Sequence, residues 1–306
     1  MQRSLLVSRA RGWYHEVAGD RLDCARLIGN IAFPVWVRRR RLLMLKLYLD
    51  DGGHEDNTVV FTVAGYLAGE AEWTALEYLW KEALDQYGIP YFHMSECLAG
   101  GGHFKGWSPQ KRDMMIRRLT RIINRHIYCG VARSVAVPDF REEIHPNVDL
   151  FTAGMPMRYR PITFCLHVTL EHIAGRLHTE HVTPEEQIPI VFEKGTKGLG
   201  STIEYINAIT SRAQWGQIFG SIIPGTKAIP GLQAADILAN EAYRLALLQY
   251  RRGTPPKKPG RRMKQLLGER RAISIKYAGQ KSLRRITEKL RDLQQSEEGN
   301  YIAEHK

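Results

Sequence analysis

The stretch "MLKLYLDDGGHEDNTVVFTVAGYLA", residues 44–68, has the pattern of two strands joined by a turn. Leu45, Leu47 and Leu49 alternate with more polar residues, which is the period of a half-buried strand. The run "TVVFTVAGYLA" is rich in β-branched residues and predicts the second strand of a hairpin. The first strand ends in Asp50 and Asp51, followed by a double glycine. Like charges repel, and nothing local neutralises these two, so the turn needs an explanation beyond the hairpin.

Composition limits the classes of protein to consider. A chain of 306 residues with 43% hydrophobic content fits one sizeable α/β domain with extensions, or two small domains. The apolar run at 27–37 is broken by Asn30 and Pro34 and falls short of the roughly 20 residues of a membrane span. The four cysteines are widely separated and form no CxxC pair. We therefore expect a soluble protein of the reducing cytoplasm, with no membrane partner and no zinc or redox motif.

The net charge of +12 is concentrated at the two ends of the chain. Residues 1–43 hold 9 Arg against 3 acids, and residues 251–306 hold 16 Lys and Arg against 6 acids. The middle, residues 44–250, is left with 19 basic and 23 acidic residues. A slightly acidic body with a basic tail is expected if a carboxylate site holds cations and the tail binds nucleic acid. Charge runs that serve only solubility are the alternative interpretation.

Residues 1–43 show no sustained period and end in four arginines directly before Met44. An Arg-rich targeting segment is one interpretation, but such segments are poor in acids, and this one contains Glu16, Asp20 and Asp23. A misassigned start codon, with Met44 as the first residue, is the simpler hypothesis. We treat residues 1–43 as an extension outside the fold.

Strands and long helices alternate over residues 44–250, which predicts an α/β sheet opened by an antiparallel hairpin and covered by helices. The strong helical patterns are 70–88, where Gly88 ends the helix, and 108–128, where Ser108 is the expected N-cap. Residues 251–306 predict a basic Pro/Gly linker followed by a short helical tail. The remaining elements of the body are an extended segment at 89–96, a glycine-rich loop at 97–107, strands at 128–137 and 188–195, and helices at 161–180, 201–219 and 231–250.

Polar residues gather at the predicted strand ends. Asp50 and Asp51 end the first strand, "HMSE" brings His93 and Glu96, and Glu193 closes the strand "IPIVFE". In open α/β sheets, functional groups collect where strands end at their carboxyl edge. These side chains are therefore candidates for one shared site.

The last helix of the body carries a polar stripe on an otherwise apolar surface. Gln233, Asp236, Asn240 and Arg244 recur at steps of three and four. A carboxylate buried alone is costly, so Asp236 needs a cation, a proton or hydrogen-bond donors.

Five motifs in order resemble the domain-of-unknown-function 3800 family, for which a ribonuclease H-like fold is expected. They are "LYLDDGG", "FHMSE", "HFKGWS", "VFEKG" and "PGLQAADILANEAYR", and they span roughly residues 45–245. The first resembles the family's opening Tyr-x-Asp-(Asp/Glu)-Ser-Gly strand, and the last resembles its closing Leu-Gln-x-Ala-Asp helix. Gly52 departs from the family's common Ser, and Glu193 departs from the Asp usual in ribonuclease H-like enzymes.

The resemblance implies that residues 44–250 are a ribonuclease H-like domain with a divalent-metal site. Asp50 would be the bridging ligand of Mg²⁺ or Mn²⁺, and Asp236 the ligand from the last helix, with Glu193 and Glu96 completing the set. Asp50, Glu193 and Asp236 would be the catalytic residues. Hard divalent ions prefer oxygen ligands, and a pair of them promotes phosphodiester hydrolysis.

The candidate residues that would support the metal ligands each have an alternative, purely structural interpretation. An Asp-Asp-Gly-Gly run also favours a tight turn, and alternation of side chains places Asp51 on the other face of the strand from Asp50. His93 and His103 are either ligands or a general acid, or else ordinary loop or core histidines. Gln233 either orients Asp236 or belongs to a separate hydrogen-bond network, and Asn240 and Arg244 are supporting candidates. The run "GGGHFKGW" has neither spacing of a phosphate-binding glycine motif and predicts a loop beside the site.

Two classes of function follow. The first is a metal-dependent nuclease or phosphodiesterase that binds nucleic acid partly through residues 251–306, with an affinity that falls as salt rises. The second is a non-catalytic relative that keeps a ribonuclease H-like fold for binding, in a phage-defence or mobile-element setting. Affinity for divalent metal separates the two.

Overall fold

The computed structural model describes residues 44–54, 56–152, 158–182, 184, 186–210, 217–256, 260–268 and 273–304. The extension at 1–43 lies outside the described residues, so its place outside the fold stays a prediction. Within the described segments, no helix is long and apolar enough to cross a membrane.

Six strands and ten α-helices make up the described chain. The strands are β1 (Leu45–Gly52), β2 (Val60–Gly69), β3 (Cys129–Ala136), β4 (Ile188–Glu193), β5 (Phe219–Gly225) and β6 (Ile273–Ala278). The helices are α1 (Glu70–Tyr87), α2 (Met94–Ala99), α3 (Pro109–His126), α4 (Val137–Glu143), α5 (Val148–Thr152), α6 (Pro161–Thr179), α7 (Leu199–Thr210), α8 (Pro230–Arg252), α9 (Arg261–Leu267) and α10 (Gln280–Glu304).

The strands form one mixed sheet in the order β5-β4-β1-β2-β3-β6. β1 pairs antiparallel with β2, and β2 pairs antiparallel with β3. β4 lies parallel to β1, β5 parallel to β4, and β6 parallel to β3. The predicted α/β class and the opening antiparallel hairpin are therefore confirmed.

Alternation along β1 divides the core between the two faces of the sheet. Leu45, Leu47 and Leu49 point into a cluster that includes residues of α6, whereas Tyr48 points into a cluster with residues of α1, α3 and α8. Asp50 continues the Tyr48 side and Asp51 the leucine side, because successive side chains of a strand alternate. The two adjacent carboxylates are thus directed to opposite faces.

Helix α8 crosses the middle of the sheet at close range because small residues line its inner side. A Cβ on Gly231 would come within 2.5 Å of the Tyr48 ring, and a Cβ on Gly52 would come within 3.0 Å of Tyr243 Cβ and 3.1 Å of the Ala239 carbonyl oxygen. Glycine at both positions lets β1 and α8 approach each other. The end of β1 and the second turn of α8 are brought together as a result.

The two long helical patterns before β3 have the predicted ends. Gly88 adopts a left-handed conformation (φ 66°) after α1, and its N–H donates to carbonyls of the last turn. The Ser108 side chain accepts a hydrogen bond from the Lys111 N–H, with Pro109 in the first turn of α3.

The predicted helix at 201–219 is wrong at its C-terminal end. Helix α7 ends at Thr210, residues 211–216 lie outside the described residues, and β5 begins at Phe219. β5 is an edge strand that contains Gly220 and Pro224 and buries only part of its residues, so its alternation is weak. That weakness explains why the sequence pattern does not reveal it.

The segment predicted as extended at 89–96 turns into a helix at its end. Met94 and Cys97 are buried three residues apart on α2, and Gly100 terminates this helix with φ 70°. The predicted glycine-rich loop is accordingly shorter, and it includes a 3₁₀ turn at Gly102–Phe104.

The C-terminal segment contains a strand where only a linker and a short helical tail are predicted. β6 pairs with β3 from Gly130↔Ile273 to Val135↔Ala278, and it extends the sheet at that side. Leu283 of α10 is fully buried against the α6 side of the core. The weak apolar pattern of "ISIKYA" is stabilised as a strand because it meets an unpaired edge of β3.

Candidate active site

Two carboxylates meet at the carboxyl ends of β1 and β4. The strands are parallel and in register at Leu49↔Phe192, so the next residues along each strand, Asp50 and Glu193, are neighbours. The Glu193 side chain acts on Asp50 and helps to raise its pKa, and Asp50 is only 3% exposed.

A third carboxylate comes from α8. Asp236 lies in the second turn of the helix that packs against the end of β1, and its Oδ2 accepts a hydrogen bond of 2.6 Å from the Met94 N–H. The charge on Asp236 acts on Asp50, and the charge on Glu193 acts on Asp236. Asp50, Glu193 and Asp236 together form what we call the carboxylate cluster.

The environment favours the protonated forms of the two aspartates. Burial, then the tendency of protonated Asp50 to donate to Glu193, then the charges of Asp236 and other acids raise the pKa of Asp50 well above its usual range. Burial raises the pKa of Asp236 to about 6, although the Met94 N–H, His93 and Lys227 act in the opposite direction. Carboxylates that repel one another in a buried place hold protons unless a cation joins them.

A basic pair borders the cluster. Lys227, in the loop between β5 and α8, places Nζ 3.3 Å from Glu193 Oε1 and 3.0 Å from His93 Nε2. The other ring nitrogen of His93 lies 3.3 Å from Glu96 Oε1. Glu96 is therefore linked to the cluster through His93 and Lys227. The Lys227 side chain is 46% exposed, so it stands at the mouth of the site.

Glu96 keeps one oxygen without a partner. Its Oε2 is buried and accepts no hydrogen bond within the described residues. The same oxygen lies 2.3 Å from where a Cβ on Gly102 would stand, so a side chain at position 102 would displace the Glu96 carboxylate. An unsatisfied buried carboxylate oxygen is costly and is a candidate ligand atom.

Gln233 fixes the framework around the site and makes its contacts away from Asp236. Its Oε1 accepts hydrogen bonds from Trp80 Nε1 (2.8 Å) and from the Phe92 N–H (2.9 Å). Its Nε2 donates to the Lys227 carbonyl oxygen at 2.8 Å. One side chain thus joins α8 to α1, to the segment before α2 and to the Lys227 loop.

Asp51 lies on the other face, as strand alternation predicts. Its Oδ1 accepts a hydrogen bond of 2.5 Å from Thr196 Oγ1, while its N–H donates to Asp50 Oδ1 at 2.8 Å. Burial raises the pKa of Asp51, and the hydrogen bond from Thr196 acts in the opposite direction.

Among the described residues, the contacts of the remaining candidates, His103, Asn240 and Arg244, do not involve the carboxylate cluster. His103 packs edge-on against the Tyr91 ring at 4.9 Å. Asn240 lies one helical turn beyond Asp236 and has a buried Oδ1 with no hydrogen-bond partner among the described residues. Arg244 is exposed, and its charge acts on Glu241.

Sequence reasoning missed Lys227 and Thr196. Both lie in loops that follow strands of the parallel part of the sheet, β5 and β4. Strand β5 was itself not predicted, so the position of Lys227 at the carboxyl edge could not be inferred. For Thr196, the position three residues after Glu193 was the available signal.

The carboxylate cluster offers oxygen atoms of the kind that bind hard cations, but these atoms are not arranged around a metal position. Within the described parts of the chain, no group of three or more His, Cys, Asp or Glu side chains is arranged as a metal site. The donors are all oxygens, which Mg²⁺ and Mn²⁺ prefer, so the residues fit such an ion when Asp50 and Asp236 are ionised.

Comparison with known proteins adds no assignment: neither a scan against protein-family models nor a search of curated proteins returned a match. The fold and site define an α/β protein with buried, interacting carboxylates at the carboxyl edge of a mixed sheet.

Proposed function

We propose that this protein is a divalent-metal-dependent nuclease or phosphodiesterase with a ribonuclease H-like fold, related to the domain-of-unknown-function 3800 family. The observation that carries the proposal is the convergence of Asp50, Glu193 and Asp236 at one buried point. Structural roles alone do not account for three acids there, because burial of like charges opposes folding.

The origin of the three acids supports the same proposal. The resemblance implies carboxylates from the first strand, from a later strand and from the final helix of the domain. Asp50 lies two residues before the end of β1, Glu193 ends β4, and Asp236 belongs to α8. Such a distribution over 186 positions of sequence is not produced by a local turn.

The side chains would divide the work as follows. Asp50, Glu193 and Asp236 would hold Mg²⁺ or Mn²⁺, and Glu96 would take part through its unpaired Oε2. A bound divalent ion supplies activation of water and stabilisation of the charge on the leaving oxygen. Lys227 places a positive charge beside Glu193 at the mouth of the site, where it can bind a phosphate oxygen of the substrate. His93, whose Nε2 lies 3.0 Å from Lys227 Nζ, would orient Lys227.

The test is cleavage of single- and double-stranded DNA and RNA in the presence of Mn²⁺ or Mg²⁺. We expect wild type to cleave at least one substrate, and Asp50→Asn or Asp236→Asn to be more than about 100-fold slower, because ligands matter at least as much as their outer partners. Asp85→Asn, an exposed acid at the end of α1, is the matched control and should keep its rate. Equal rates in wild type and all variants would contradict the proposal.

A non-catalytic binding protein is the second candidate. The observation that favours it is that the described acids are not arranged for a metal in their present geometry. A protein of that kind would keep Asp50 protonated beside Glu193. It would show no stabilisation by Mn²⁺, whereas the proposed nuclease would.

A further inference from the structure

Helix α3 concentrates the positive charge of the body. It holds six of the 19 basic residues between positions 44 and 250, and one of the 23 acidic residues there. Lys111, Arg121 and Arg125 are exposed, and they lie within about a quarter of a turn of one another around the helix axis. The helix therefore presents a basic stripe to solvent.

Neighbouring arginines of α3 are paired with acids, but the stripe is not. Arg117 Nη2 lies 2.8 Å from Asp113 Oδ2, and Arg118 Nη2 lies 3.5 Å from Glu82 Oε1. Within the described part of the chain, no acid forms an ion pair with the three residues of the stripe. Exposed positive charge without a partner attracts a polyanion.

The loop before α3, which contains the "HFKGWS" motif, adds an exposed lysine. Lys105 follows Phe104, whose fully buried ring packs edge-on against the rings of Phe92 and Trp107. The Trp107 N–H donates to the Phe104 carbonyl oxygen at 3.0 Å, and Lys111 Nζ lies 3.9 Å from the centroid of the Trp107 ring. This packing orders the loop, which lowers the entropy cost of binding. We call Lys105 and the stripe together the basic face.

The same loop contacts the candidate active site. A Cβ on Gly102 would stand 2.3 Å from Glu96 Oε2, so the loop lies against this carboxylate. The other oxygen of Glu96 is 3.3 Å from His93 Nδ1, and Lys227 joins His93 to Glu193 of the carboxylate cluster. The lysine of the loop is three residues beyond the glycine. The basic face therefore begins beside the site.

Helix α3 and the carboxylate cluster share one face of the sheet. Met115 and Leu119 of α3 belong to the core cluster that contains Tyr48 of β1 and residues of α8. Asp50 is on the same side of β1 as Tyr48, because side chains of a strand alternate. A strand bound along α3 can thus reach the carboxylates without passing around the sheet.

The basic tail is a weaker place for a polyanion than its composition indicates. Arg262 pairs with Glu241, and Arg284 pairs with Glu143. These arginines serve contacts between the C-terminal segment and the body, whereas the basic face keeps its charges for a partner.

We propose that the basic face binds the phosphate backbone of a single nucleic-acid strand that runs along α3, past Lys105, to Lys227 and the carboxylate cluster. One narrow row of charges matches one backbone, and phosphate contacts fix the position of a strand without reading its bases. The identity of the partner rests on the proposed nuclease function. The four residues of the basic face are positioning residues, separate from those that hold the metal.

Binding is measured with full-length Asp50→Asn protein, without divalent ions, so that cleavage does not interfere. The probes are fluorescein-labelled oligodeoxythymidylate and oligouridylate of about 20 nucleotides, longer than the usual single-strand site of about 4–16. Fluorescence anisotropy gives the affinity over a range of salt concentrations.

Three double variants are compared, and each removes two positive charges. Lys105→Gln/Lys111→Gln tests the end of the basic face beside the site, and Arg121→Gln/Arg125→Gln tests its far end. Lys281→Gln/Arg285→Gln is the matched control, because both residues are exposed on α10, whose Leu283 packs on the other face of the sheet.

We expect each basic-face variant to bind at least one oligonucleotide about tenfold more weakly than its parent at low salt. The salt slope should fall by about 1.4, because each contact to a single-stranded phosphate contributes about 0.7. The control should bind within about twofold of the parent. Equal melting temperatures of all variants and the parent would establish that the loss is not unfolding.

The proposal is overturned if either basic-face variant binds like the parent, if the control loses as much affinity as they do, or if the parent binds neither oligonucleotide. Failure of the nuclease function gives a different result: wild type then neither cleaves nor gains stability from Mn²⁺, while the metal-free comparison still decides whether the basic face binds a strand.

Discussion

Asp50 and Glu193 are neighbours on two adjacent parallel strands, each one residue beyond the Leu49↔Phe192 pair. Asp50 is almost fully buried, and the charges of Glu193 and of Asp236 from α8 act on it. Without a metal ion, burial and the neighbouring acids favour a proton on Asp50 and on Asp236. Protons and a metal ion should therefore compete for these carboxylates, and the site can be tested by varying pH and metal concentration.

Stability without metal should fall as the pH rises. Burial raises the pKa of Asp50 and Asp236 above the unfolded value of 3.8, so between that value and the folded pKa the native state binds more protons than the unfolded state. The contribution is fully present below 3.8 and is lost as pH rises through about 6 for Asp236, and as pH rises through the raised pKa of Asp50.

The Asn variants mimic the protonated acid and should not lose this stability. The unfolding free energy is measured with urea, in the presence of a chelator, at about pH 5 and at about pH 8. The difference between Asp236→Asn and wild type should shift by about 1–3 kcal/mol in favour of the variant from the lower to the higher pH. A constant difference between wild type and variant across this range would show that Asp236 titrates normally.

Replacing Gln233 should destabilise the framework of the site. Gln233→Met keeps the volume but leaves Trp80 Nε1, the Phe92 N–H and the Lys227 carbonyl oxygen without their partner. We expect a loss of about 2–4 kcal/mol in unfolding free energy, since each buried group left unpaired is costly. Gln249→Met, at a half-buried position of the same helix, should change stability by less than about 0.5 kcal/mol. Similar losses at both positions would refute the framework role of Gln233.

Gly52 should not tolerate a side chain. In Gly52→Ala the new Cβ would meet Tyr243 Cβ at 3.0 Å and the Ala239 carbonyl oxygen at 3.1 Å, which forces α8 away from β1. The expected cost is about 1–3 kcal/mol of unfolding free energy. Gly175→Ala is the opposite control: a Cβ there meets no atom within 4 Å, and alanine in a helix should add about 0.5–1 kcal/mol. Thermal unfolding of both variants is the measurement. An unchanged melting temperature for Gly52→Ala would mean that β1 and α8 can move apart at little cost.

Removing residues 257–306 should destabilise the body. The deletion exposes the edge of β3 and removes Leu283, Met263 and Leu266, which are buried. A loss of at least about 3 kcal/mol is expected, because a single large core truncation already costs about that much. Differential scanning calorimetry of the truncated and full chains gives the comparison. An unchanged melting temperature would show that residues 257–306 do not stabilise the rest of the protein.

The hairpin and the polar stripe of α8 could be predicted because their patterns are strong and local. Leu45, Leu47 and Leu49 alternate without interruption, and the stripe through Gln233 and Asp236 repeats at helical steps. The proximity of Asp50 to Asp236 was implied by family resemblance, since no local rule joins residues so far apart in sequence.

The elements that escaped prediction depend on their partners. β5 and β6 are edge strands with weak alternation, and each is stabilised by pairing with β4 or β3. The sequence around Lys227 contains no motif that marks it as a site residue. Lys227 lies beside Glu193 and His93 because the loop that contains it follows β5. The contacts of Gln233 likewise reach Trp80, 153 positions away in the chain.

The most direct test of a shared metal site is the melting temperature with and without Mn²⁺ for wild type, Asp50→Asn, Asp236→Asn and the control Asp85→Asn. A ligand that binds only the native state stabilises it by mass action, so wild type and the control should each gain several degrees. Each site variant should gain less than half as much, because one carboxylate of the metal's binding set is missing. Equal gains in all four proteins, or no gain in wild type, would contradict a divalent ion held by Asp50 and Asp236.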